Sequence, residues 1–146
     1  MKISNRRAHY DYQILDKIEA GIQLTGPEVK SVKSGRIRLD GSYVRFLQDE
    51  TYLVGADIPP YLYASNDKYD SKRSRKLLLQ KKQIISLSTK IAQEGLTIVP
   101  VSCYTTRGLV KLEIGIAKRK QERDKREEIR KRDLNRLVEQ DLKSRR

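Results

Sequence analysis

Apolar and polar residues recur with a period of two at several places before residue 117, the spacing that puts alternate side chains on opposite faces of a strand. Tyr12, Ile14 and Ile18 interleave with Gln13, Leu15 and Lys17. Tyr43 to Leu47 leads through a polar Gln48-Asp49-Glu50 turn into Thr51 to Val54, which predicts a hairpin. A third pair runs from Leu96 to Tyr104 and from Leu109 to Ala117, with Thr105, Thr106, Arg107 and Gly108 as turn residues between them. Two helices interrupt the strands. The short one has Gly26 and Pro27 at its start and Gly35 just past its end, and the longer one spans about Arg75 to Glu94 and stops at Gly95. Strands and helices do not alternate, so a parallel sheet is not expected.

The pattern changes after Ala117. All four prolines, all eight glycines and every aromatic residue lie before that point, which divides the chain into a body, residues 1–117, and a basic tail, residues 118–146. The apolar residues of the tail are Ile129, Leu134, Leu137, Val138 and Leu142. Five side chains are too few to offset the entropy of ordering the segment against the body, so the free tail is expected to be mobile. It is also rich in Glu, Lys and Arg and sets Glu122 against Arg126, Glu127 against Lys131, and Glu128 against Arg132. Pairs four residues apart favour a helix once something holds the tail.

Charge then narrows the function. The net charge is +13 over 146 residues, beyond what solubility requires and suited to a polyanionic partner. The tail holds 13 basic and 7 acidic residues, a net +6, leaving +7 for the body. Leu77-Leu78-Leu79 is the longest uninterrupted aliphatic run, far short of the roughly 20 apolar residues of a spanning helix. The first residues lack the apolar stretch of a secretory signal, and Cys103 is the lone cysteine, so a cytoplasmic protein without disulfides is expected. For a basic, mainly β chain of this size, an antiparallel barrel of the oligonucleotide-binding type with two or three helices fits best. His9 has no partner His or Cys cluster, so neither catalysis nor a metal or other cofactor is expected.

Four ordered segments carry a resemblance. The first is Asn5-Arg6-Arg7-Ala8-His9-Tyr10-Asp11-Tyr12, continuing into Glu19-Ala20-Gly21-Ile22, Gly26, Glu28-Val29-Lys30-Ser31 and Gly35. The others are Arg73-Ser74-Arg75-Lys76-Leu77-Leu78-Leu79, then Gly95-Leu96-Thr97-Ile98-Val99-Pro100, then Gly115-Ile116-Ala117-Lys118 with Asp124-Lys125-Arg126. In order and spacing they resemble the SsrA-binding protein (small protein B) family across essentially the whole chain. The resemblance implies a barrel that grips the tRNA-like part of transfer-messenger RNA and stands in for its missing anticodon arm. It implies a tail that enters the empty messenger channel of the small ribosomal subunit as a helix, delivery with elongation factor Tu, and action as a monomer. A general tRNA- or rRNA-binding barrel protein of the translation machinery is the alternative.

Arg73, Arg75 and Lys76 crowd beside the leucine triplet, which could anchor while the charges reach phosphate. The resemblance marks Asn5, Glu19, Leu78 and Lys111 as RNA contacts, with Lys30 a weaker one. Tyr10 fills the family's ring-bearing position that meets ribosomal RNA. In the tail, Lys118, Lys120, Asp124, Lys125 and Arg126 match the basic motif, whereas Arg119 stands where the family usually has Gly, and Gln121 where it has the second Lys of a pair. Arg119 adds charge and removes a swivel between barrel and tail. Ser71 replaces the usual Pro before the arginine-rich segment.

Overall fold

The structure is a computed structural model, and it describes residues 1–63 and 68–144; residues 145 and 146 of the tail lie outside the described residues. The strands are β1 (Lys2–Ser4), β2 (Tyr12–Ile22), β3 (Tyr43–Leu47), β4 (Glu50–Val54), β5 (Arg75–Leu78), β6 (Thr97–Thr106) and β7 (Leu109–Arg119). The helices are α1 (Arg6–Asp11), α2 (Gly26–Lys33), α3 (Lys81–Glu94) and α4 (Glu122–Ser144). One antiparallel sheet takes all seven strands in the order β1-β6-β7-β2-β5-β4-β3. The mainly β, antiparallel reading stands. The sheet curls until β3 comes up against β6, but the edge strands β1 and β3 are not hydrogen-bonded to each other and the barrel stays open.

Two hairpins turn as the sequence indicates, each slightly tighter. Gln48 and Asp49, at φ of 46° and 65°, join β3 to β4, and Glu50 already pairs with Leu47. Arg107 and Gly108, at 51° and 78°, join β6 to β7, so Thr105 and Thr106 belong to the strand. Two successive left-handed residues match the right-handed twist of the flanking strands. Short α2 is fixed by a capping box: Thr25 Oγ1 accepts from the Glu28 N–H at 3.4 Å, and Glu28 Oε1 accepts from the Thr25 N–H at 2.9 Å.

The longer helix begins later than its expected start at Arg75. Arg75 to Leu78 form β5, paired with β2 and β4, and α3 starts at Lys81. In β5 Arg75 and Leu77 point inward and Lys76 and Leu78 outward, a period of two that a run of three leucines conceals. Gly95 ends α3 in the left-handed conformation, its N–H donating to Ile91 O at 3.0 Å.

Val32, Leu39, Leu53, Ile58, Leu77, Ile98, Leu112 and Ile114 fill the core. β2 carries a bulge between Ile14 and Asp16, which turns Leu15 outward, 50% exposed. Opposite it, a Cβ on Gly115 would lie 2.8 Å from Val101 Cγ2 and 2.9 Å from Ile14 Cγ2. Both contacts are with branched side chains in the sheet, so Gly115→Ala is expected to destabilise the fold by about 1–3 kcal/mol in urea titration. An unchanged midpoint would mean that the bulge can relax.

The expected body–tail boundary falls inside β7: Lys118 pairs with Gln13 and Arg119 with Tyr12. Beyond it α4 is helical to Ser144, and every side chain from Ile129 to Lys143 is exposed. Its ion pairs differ from the predicted set. Glu128 turns back to Lys120 rather than forward to Arg132, and Arg123 pairs with Glu127 at 3.8 Å.

Candidate nucleic-acid interface

Strand register assembles a row of residues that lie far apart in sequence. Lys2 pairs with Tyr104, Tyr104 with Lys111, Lys111 with Gly21, and Gly21 with Leu78. Residues directly opposite on neighbouring strands project to the same face, so the row crosses five strands on the outside of the sheet. Leu78 is 55% exposed. It lies over β2 because Gly21 has no side chain: a Cβ there would come within 3.2 Å of Leu78 Cβ.

Glu19 sits one outward position along β2, opposite Glu113. The Tyr104 hydroxyl donates to its carboxylate, and Lys17 Nζ lies 4.0 Å from Glu113. Burial, then the Glu19 hydrogen bond and the charges of Glu19 and Glu113, push the Tyr104 hydroxyl up to about 12. Tyr104 thus remains a donor and steadies Glu19, whose other lone pairs can accept from a base amino group or a ribose hydroxyl. Lys111 supplies a cation on the same outer face, opposite Gly21 and two residues along from Glu19. Glu19, Leu78 and Lys111 are therefore brought together. Tyr104 was missed, because the register that places it beside Glu19 is not written in either strand.

The arginine-rich segment divides. Lys76 shares the outer face of β5 with Leu78, its Nζ 3.2 Å from Glu50 Oε1. Arg75 is fully buried: its guanidinium donates to Glu28 Oε2 at 2.7 and 2.9 Å and to Ala56 O at 2.8 Å. Arg73 is half-buried and also pairs with Glu28. These two arginines hold α2 to the sheet, and Arg75, with no solvent exposure, does not reach the surface that would meet RNA. Burial raises the Glu28 carboxyl, but the hydrogen bonds from Arg73, the Thr25 N–H and Arg75 outweigh it and hold the group at about 2. Because the folded value lies below the unfolded one, this stabilisation is complete above about 4.5 and lost as pH falls toward about 2. The stability difference between the wild type and Glu28→Gln is expected to shrink across that window in urea titrations. A difference independent of pH would contradict a charged Glu28.

Asn5 is also inside. Its Oδ1 accepts from the Ala8 N–H at 3.1 Å, capping α1, while Nδ2 donates to Pro100 O at 2.9 Å and Leu39 O at 3.3 Å. With all three bonds made and 2% exposure, it shapes the N-terminal helix rather than facing solvent. Lys30 is exposed on α2, with Nζ 5.4 Å from the centre of the Tyr61 ring.

Tyr10 lies at a second locus, where α1 meets the start of α4. Lys125 Nζ stands 5.2 Å above its ring and 3.0 Å from Asp11 Oδ1. The Lys120 N–H donates to Asp11 O at 2.9 Å, and Lys120 Nζ donates to His9 O at 3.0 Å and pairs with Glu128. The Lys125 hydrogen bond lowers the Asp11 carboxyl against burial, helped by the charges of Lys125, Arg7 and Arg119. Asp124 faces the helix start, its Oδ2 accepting from the Gln121 N–H at 3.3 Å. Lys118 and Arg126 are exposed. Arg119 lines a cleft of about 350 Å³ with Arg7, Asp11, Tyr12 and Tyr43. Among the described residues no three His, Cys, Asp or Glu side chains are grouped to hold a metal, and no helix is long and apolar enough to cross a membrane.

An open, curled antiparallel sheet with a mixed cationic and apolar outer row, continued by a charged helix, defines a small basic β protein built for a polyanionic surface. The profile of the SmpB protein family matches residues 2–144, and the chain belongs to that family. The SsrA-binding protein of Rubrobacter xylanophilus is 50% identical over 141 residues, covering 97% of this chain and 94% of the relative. That of Chlorobaculum tepidum is 45% identical over 139 residues, covering 94% and 88%. A solved chain from work on tmRNA-SmpB, described as a journey to the center of the bacterial ribosome, superposes with a TM-score of 0.69 at 42% identity, covering 88% of this chain and 94% of that one.

Proposed function

We propose that this chain is the adaptor of trans-translation: it binds the tRNA-like domain of transfer-messenger RNA and accompanies it to stalled ribosomes. The observation that carries the reading is the outer row, where Leu78 and Gly21 offer an apolar, close-approach surface flanked by Lys111 and Lys2, with Glu19 set by Tyr104. Apolar contact and carboxylate acceptance recognise unstacked bases and ribose hydroxyls, and the lysines fix the backbone. Lys76 borders this grip on the outer face of β5, and Lys30 and Arg73 are further RNA contacts in this reading.

The protein performs no bond chemistry in this role. It acts as a cytoplasmic monomer, delivered together with elongation factor Tu. Residues before β7's end form the RNA-binding body. The tail, through Lys118, Arg119, Lys120, Lys125 and Arg126, with Asp124 setting its first turn, contacts small-subunit rRNA and follows the empty messenger channel.

The test compares affinity for the isolated tRNA-like domain with that for an unrelated tRNA at physiological salt. The expected result is a preference of at least about tenfold, the size of one good set of base-edge contacts. Equal affinity would sink the adaptor reading. Lys111→Glu is expected to weaken binding and reduce the salt slope by about one unit.

A further inference from the structure

We infer that the cleft between α1 and the first three turns of α4 is a phosphate-binding site whose walls come from the body and from the tail. This deepens the adaptor reading and rests on it. The cleft holds about 560 Å³ and is lined by Arg6, Arg7, His9, Tyr10 and Arg132. Three arginines line it, of which Arg7 is paired with Asp11 at 3.6 Å.

Asp11 accepts from Lys125 at 3.0 Å and lies 3.6 Å from Arg7 Nε, and Glu128 is held by Lys120. Arg6 and Arg132 have no acidic partner among the described residues. Like charges gathered in one concavity repel unless an anion joins them. Guanidinium forks fit phosphate oxygens in pairs, so a phosphate group is the ligand whose shape and charge complete the site.

The two walls are not independent. Arg6 and Arg7 ride on α1, whose start is fixed by Asn5, while Arg132 is carried by α4, which the Lys120 and Lys125 contacts clip to α1. A phosphate gripped from both sides therefore sets the angle at which the tail leaves the body. That device stands where Arg119 has replaced the glycine swivel that the family pattern places at this junction.

The probe is a fluorescent decauridylate, which lacks every identity feature of transfer-messenger RNA, titrated into the full chain at a series of salt concentrations. Arg6→Gln and Arg132→Gln are each expected to weaken binding about fivefold and to lower the salt slope by about 0.7. The double substitution is expected to cost less than the product of the two, because each guanidinium loses the phosphate that the other holds. Losses that multiply, or no loss from either change, would overturn the joint site. Millimolar inorganic phosphate distinguishes the sources of the ligand. If it displaces the oligonucleotide from the wild type but not from the double variant, the site takes free phosphate. If coupling persists without displacement, the site takes a phosphodiester within a chain. Selectivity for the tRNA-like domain, measured on the same preparations, reports separately on the adaptor reading.

Discussion

Truncation after Lys120 abolishes ribosome rescue and leaves affinity for the tRNA-like domain within about twofold of the full chain, the expected result if grip and channel reading belong to different parts. The cut must follow Lys120 because β7 pairs with β2 through Arg119; removal from residue 118 would strip two rungs from the sheet and confuse folding with function. What is lost is a 23-residue helix, Glu122–Ser144, whose side chains from Ile129 to Lys143 face solvent. A helix of that composition gains little from the body and is available to a channel walled by phosphates. A tagging assay on stalled ribosomes, beside a binding titration of the same variant, checks both halves. Loss of RNA affinity together with rescue would contradict the division.

The second large effect is on folding. Arg75→Ala leaves Glu28 buried with Arg73 as its main partner, and breaking a buried, hydrogen-bonded ion pair costs about 3–5 kcal/mol. For a chain of this size that lowers the melting temperature by roughly 10 °C. Glu28→Ala is expected to cost as much, since it also removes the capping box of α2 and the hydrogen bonds to Arg73 and Tyr69. Below the melting temperature the Arg75 variant should bind the tRNA-like domain with the wild-type salt slope, because its guanidinium reaches no solvent. A flattened slope in a variant of normal stability would return Arg75 to the RNA surface.

Alternation made the strands legible. The β3–β4 and β6–β7 hairpins and the glycine stop of α3 follow from local spacing and turn chemistry. Arg75 to Leu79 misled for a physical reason: three consecutive leucines suit a helix and a strand equally, and cross-strand pairing with Gly21, Ile22 and Thr51 decides between them. The same blindness governs the site. The resemblance implies RNA contacts at Asn5, Glu19, Leu78 and Lys111 alike, yet register gathers the last three on one outer face and folds Asn5 inside as a cap. Tyr104 becomes visible only when β6 is laid beside β7. In the tail, helical composition was legible, but the clamp of Lys120 and Lys125 on His9 and Asp11 joins residues more than a hundred positions apart.

The central claim, that the curled sheet grips one particular RNA, is tested most directly by sequencing the RNA that copurifies with tagged full-length protein after crosslinking in cells. The account predicts strong enrichment of transfer-messenger RNA, with crosslinks in its tRNA-like domain that fall when Lys111 is reversed to Glu. Recovery of bulk tRNA or ribosomal RNA in proportion to abundance, without transfer-messenger RNA above background, would contradict it.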